Sequence, residues 1–143
     1  MINYPDNYYF TREREWINFI DTDIAYIGLT QLAIKELEPI NSIEIHTVGQ
    51  PLEQNQVFGR VRNETTLCKL IMPFDGLIIE ANNSYTSNLE AINGEYSYDN
   101  WIVKVKLILP IDKNNLFSLD AYKAHKTDKI FHLITYLLPG NVR

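Results

Sequence analysis

The stretch Phe58–Gly76, FGRVRNETTLCKLIMPFDG, most constrains what this chain can fold into. Val57, Gly59 and Val61 alternate with Phe58, Arg60 and Arg62 at the two-residue period of an extended strand. Arg62-Asn63-Glu64-Thr65-Thr66 is polar, and Leu67–Met72 is again mostly apolar until Pro73 removes a backbone donor from the ladder. The pattern predicts a hairpin with a polar tip, closed off by Pro73 and Gly76. Such a tip faces water, so its side chains carry most of the functional information.

Around the hairpin the chain reads as short strands and few helices. Residues 1–9 read as a loosely held lead-in. Phe10–Ile20 is predicted as a strand, because Trp16, Asn18 and Ile20 alternate with Ile17 and Phe19, and Trp16 is expected in the core. Asp21-Thr22-Asp23 is a turn signal, and Ile24–Leu29 a strand. Thr30 suits the N-cap of a helix over Gln31–Leu37, in which Leu29, Ala33 and Leu37 recur every fourth residue and define one buried face. Pro39 ends that helix by pushing Glu38 out of helical conformation. Ile40–His46 alternates as a strand with one wet face, Val48–Leu52 is a turn, and Leu77–Ala81 is a strand. Trp101–Leu107 reads as a half-exposed antiparallel strand. Asn115 or Ser118 is expected to cap a final helix bearing Leu116, Leu119, Ala121 and Tyr122.

At 143 residues, with 45% hydrophobic and 22% charged, the chain fits one soluble globular domain. Its net charge of −5 argues against nucleic acid as the main partner, because phosphate binding runs on excess Lys and Arg. No apolar run approaches the ~20 residues of a membrane span. MINYPDNYYF is no signal peptide, and the single Cys68, expected to be buried, rules out an internal disulfide; both point to the cytoplasm. His46 completes no metal spacing, Thr65-Thr66 has no adjacent base, and no phosphate loop or triad spacing occurs. The residues therefore predict a protein that is not an enzyme.

Several motifs agree with one family. Thr11, Glu13, Glu15 and Trp16 fit Y-T-x-E-H-E-W-V; Ile27-Gly28-Leu29-Thr30 with Ala33 and Leu37 fits V-G-I-T-x-x-A-x-x-x-L. Val48-Gly49, then Phe58, Gly59, Val61, Pro73 and Gly76, then Asn82, Asn88, Glu90 and Asn93 follow almost without a gap. Trp101–Val105 and Leu119-Asp120-Ala121-Tyr122 complete the set. The chain thereby resembles the glycine cleavage system H protein, a relative of lipoyl and biotinyl carrier domains, over residues about 10–124. It departs from the pattern at Arg14, Glu38-Pro39, His46, Leu89 and Tyr96–Asn100. The resemblance implies a mainly β fold with a few helices, the barrel-sandwich hybrid, a lipoyl-domain-like flattened barrel of two small antiparallel sheets. A single H-protein-like domain then spans 1–143, its core about 10–124, with an apolar C-terminal extension over about 127–143.

The family carries the aminomethyl group of glycine on lipoate that is amide-linked to a hairpin lysine. The same register puts Thr65 at that lysine, Arg62 at a glutamate, Thr66 at an alanine and Lys69 at an aspartate. Thr65 has no amine, so the resemblance implies a degenerate member: a carrier fold without its cofactor, serving as a binding or regulatory module. Two alternatives stand beside it. One is a working lipoyl carrier modified at Lys69; the other is a structural subunit that assembles through its apolar extension into a homo-oligomer. Cys68 has no second thiol with which to cycle. Arg60 and Arg62 share a strand face, with Lys69 expected opposite, and Arg60, Arg62 and Glu64 are the expected partner contacts. The expected partners are glycine cleavage components or a lipoyl ligase, with neither nucleic acid nor membrane.

Overall fold

Each alternating stretch has one face to bury, and two antiparallel sheets bury them against each other. In a computed structural model, which describes residues 4–83 and 100–126, the strands are β1 (Tyr8–Phe10), β2 (Glu15–Phe19), β3 (Ile24–Leu29), β4 (Ser42–Glu44) and β5 (Pro51–Leu52). They continue with β6 (Val57–Arg62), β7 (Leu67–Ile71), β8 (Gly76–Ala81), β9 (Trp101–Leu107) and β10 (Phe117–Ser118). Helix α1 covers Gln31–Leu37, and residues 119–126 form helix α2. A seven-stranded sheet runs β10-β1-β2-β3-β9-β8-β5, and a three-stranded sheet runs β4-β6-β7. The sheets remain separate, so this is an unclosed, flattened barrel of the kind expected, with one sheet much the larger.

Ile17, Ile27, Ile78 and Val105 of the large sheet meet Ile43, Val61 and Leu70 of the small one, with Phe58 and Met72 between. α1 adds Ala33, Ile34 and Leu37 to that core, and its N-cap is Thr30, whose Oγ1 accepts a bond from Ala33 N at 3.1 Å. A second, aromatic cluster of Tyr4, Tyr8, Phe10 and Trp16, with Leu119 and Tyr122 from α2, is built apart from it. Phe10 and Tyr122 stack at 4.1 Å. Neighbouring residues on a strand point to opposite faces, which sends Ile17 to one cluster and Trp16 to the other. Trp16 pairs with Gly28 on β3, and a Cβ there would collide with the indole; only glycine lets the ring lie flat on the strand.

Several expectations are corrected. From Tyr4 on, the lead-in is not loose: Tyr4 and Tyr8 are buried and β1 begins at Tyr8. Phe10–Ile20 is two strands rather than one, because Thr11 Oγ1 accepts bonds from Glu13 N (3.2 Å) and Glu15 N (3.1 Å) and turns the chain. Ile40–His46 contracts to β4, and Pro51-Leu52, read as turn, pairs with β8. β9 keeps the wet face expected of it, with Lys104 half-buried and Lys106 exposed, although it lies between β3 and β8 and also buries Ile102 beside Val103, Val105 and Leu107. Ser118, not Asn115, caps α2, its Oγ accepting from Ala121 N at 3.2 Å, while Leu116 precedes the helix and Ala121 is exposed. The readings at Asn88, Leu89, Glu90, Asn93, Tyr96–Asp99 and the extension from 127 lie outside the described residues.

Candidate functional site

The β6–β7 hairpin forms where the sequence places it, and Asn63 organises its tip. Asn63 N donates to Thr66 O at 3.0 Å. Its side-chain Oδ1 accepts from Thr65 N (3.0 Å) and Thr66 N (2.8 Å), a short polar side chain standing in for backbone partners. Asn63 Nδ2 reaches the other way, to the Leu37 carbonyl at the end of α1, at 2.9 Å. Thr65 therefore sits at the apex of a turn pinned to a helix end. It is exposed, with Oγ1 3.4 Å from Asn63 Oδ1 and 3.3 Å from Thr66 Oγ1. Glu64 beside it is exposed as well.

The strands place the remaining predicted residues on the outer face of the small sheet. Cys68 and Leu70 alternate inward, so Leu67 and Lys69 face out, and Lys69 is paired directly with Arg60. Glu44 of β4 lies opposite Arg60, yet its carboxylate bonds diagonally to Arg62 Nε at 2.5 Å. That bond holds the Glu44 carboxyl below the ordinary range, helped by the charges of Arg62, His46 and Arg60. Arg60, Arg62 and Lys69 are thus one surface, but Arg62 is already taken. Cys68 is buried, and His46 is exposed. Among the described residues no group of three or more His, Cys, Asp or Glu could hold a metal. No helix there is long and apolar enough to cross a membrane.

Glu15 is the residue that sequence reasoning passed over as a site. It is 2% exposed, on the same strand parity as Ile17. Thr11 Oγ1 donates to its Oε1 at 2.9 Å, whereas Oε2 is buried without a hydrogen-bond partner. Desolvation pushes its pKa from 4.5 up to about 7, against the lowering effects of Thr11 and Arg14. Glu15 lines an open cavity of about 330 Å³ shared with Arg12, Gln54 and Met72. The signal was an acidic side chain on the apolar parity of a strand.

Residues 8–129 match the family model described as Glycine cleavage H-protein. The glycine cleavage system H protein of Bacteroides fragilis is 34% identical over 123 residues, covering 86% of this chain and 97% of that protein. Its counterpart from Bacteroides thetaiotaomicron is 35% identical over 123 residues, again covering 86% and 97%. A crystal structure of the glycine cleavage system H protein from Mycobacterium marinum superposes with a TM-score of 0.74 at 20% identity, covering 87% of this chain and 99% of that one.

Proposed function

Because this chain belongs to the glycine cleavage H-protein family, we propose that it keeps the carrier fold but works without lipoate, as a non-catalytic binding or regulatory module. The observation that carries this reading is Thr65, exposed at the apex of the β6–β7 turn. Lipoate is held through an amide, which needs a primary amine to form. A β-branched hydroxyl offers none, and the hydrogen bonds described for Thr65 Oγ1 run to Asn63 Oδ1 and Thr66 Oγ1 rather than to a base that would make it a nucleophile. The residues at the apex therefore do not fit the covalent cofactor. What the apex does offer is a fixed polar surface: Asn63 holds the two threonine amides, and the outer face beside them carries Arg60, Arg62, Glu64 and Lys69.

Relatives that match this chain are named as proteins of the glycine cleavage system, so the proposed partners are protein components of that system or a lipoyl ligase, in the cytoplasm. The competing carrier reading would use Lys69, whose amine is exposed. Lys69 stands on β7 within the ladder, opposite Arg60, so an arm attached there would leave from the flat of the sheet rather than the turn. Intact-mass spectrometry after co-expression with a lipoyl ligase and lipoate tests both. The expected result is an unmodified mass; an adduct on any lysine would overturn the proposal.

A further inference from the structure

Among the described residues β7 is one of the two edge strands of the small sheet, and its ladder shows which of its groups are left over. Asn63 N bonds to Thr66 O, whereas the carbonyl of Arg62 turns away from β7 and accepts from Asn41 N at 2.8 Å. Arg62 and Leu67 are therefore a non-hydrogen-bonded pair, and so, two residues on, are Arg60 and Lys69. It follows that the N–H and C=O of Leu67 and Lys69 point outward from the edge. Among the described residues no strand pairs with that edge. An open groove of about 570 Å³ runs beside it, between β7 and the turn that holds Glu13 and Arg14.

Charge sets what the edge accepts. Side chains approach closely in a non-hydrogen-bonded pair, and there Arg60 and Lys69 face each other, an arrangement that by itself destabilises a sheet. The nearby carboxylate, Glu44, is engaged with Arg62, and across the groove Glu13 lies 3.8 Å from Arg14. Glu64 at the tip and His46 are exposed as well. We propose that the β7 edge takes an extended acidic segment of a partner protein, which adds as a fourth strand through Leu67 and Lys69 while a carboxylate settles between Arg60 and Lys69. The like-charged pair then gains a second carboxylate beside Glu44, whose own hydrogen bond goes to Arg62. A lysine on an edge also repels unsuitable strands, a second copy of this edge included, since that copy would bring its own Lys69. Outward backbone groups favour a peptide over a nucleic acid, which has no strand ladder to complete.

The proposal rests on the reading above only in that Lys69 keeps its charge, so the protein used is first shown by mass to be unmodified. A fluorescent peptide, acetyl-Thr-Glu-Val-Glu-Val-Glu-Thr-amide, is titrated by anisotropy, and amide exchange of the ¹⁵N-labelled protein is followed by NMR. Saturable binding is expected, with the Leu67 and Lys69 amides slowed in exchange and affinity falling as salt rises. Lys69→Glu should weaken binding about tenfold or more, and Arg60→Glu similarly. Leu67→Pro, tolerated on an edge strand, should remove binding by removing an outward donor. The inference fails if the peptide does not bind, if its lysine-for-glutamate counterpart binds equally, or if Lys69→Glu binds as well as the native chain. It also fails if an oligothymidylate competes on equal terms, which would reduce the surface to a simple anion patch. A lipoyl adduct would instead remove the premise, a result separable from loss of binding.

Discussion

Thr65 shows how much one side chain decides. The backbone around it has the form of a tip built to present a residue, with Asn63 bonding the amides of Thr65 and Thr66. Thr65→Lys would put an amine at the apex without touching those bonds, and co-expression with a lipoyl ligase should then yield a lipoyl adduct that the native chain lacks. An unmodified T65K protein would mean that the flanking Arg62 and Glu64 also prevent recognition. Glu15 is the second decisive residue. Its folded pKa, raised from 4.5 to about 7, means that the folded chain holds the proton more tightly than the unfolded chain does. Its stabilising contribution is therefore complete below pH 4.5 and lost as pH rises through about 7, a swing of roughly 3 kcal/mol. Glu15→Gln keeps the side chain neutral throughout, so urea unfolding at a series of pH values should show that decline in the native protein and not in E15Q. Parallel profiles would refute the assignment.

At the scale of elements, the hairpin and α1 act as one unit because Asn63 bonds both the tip amides and the Leu37 carbonyl. Asn63→Ala leaves those groups to water and should cost about 1–3 kcal/mol. Faster amide exchange should appear at Thr65 and Thr66, and unchanged exchange there would show that the turn holds itself. Periodicity makes such elements legible where the pattern is local: β3, α1, β6 and β9 occupy the stretches read from alternation or a cap residue. It fails where a side chain overrides it. Thr11 breaks Phe10–Ile20 into β1 and β2 by capturing two amides, and a threonine inside an alternating run gives no warning of that. Pro51-Leu52 becomes a strand only because Leu77 and Gly76 lie alongside.

Over the whole molecule, the two sheets share one core, in which Leu70 of the small sheet joins Ile27 and Val105 of the large one. Leu70→Ala should cost about 2–5 kcal/mol, and both sheets should still unfold in a single transition. Separate melting of near- and far-ultraviolet circular dichroism signals would show that the sheets are independent. The aromatic cluster joins the N-terminal residues to α2, an association between chain segments far apart in sequence.

What the sequence by itself determined was the family, the alternating strands, the N-cap at Thr30 and the hydroxyl at the hairpin apex, since all are properties of residue identity and spacing. Only the tertiary structure decided that Glu15 is shut away from water, that Arg62 is occupied by Glu44, and that Arg60 and Lys69 meet on an open edge. The physical reason is that burial and charge pairing depend on which strands become neighbours. Residues far apart in the chain settle that together, and no local pattern records it.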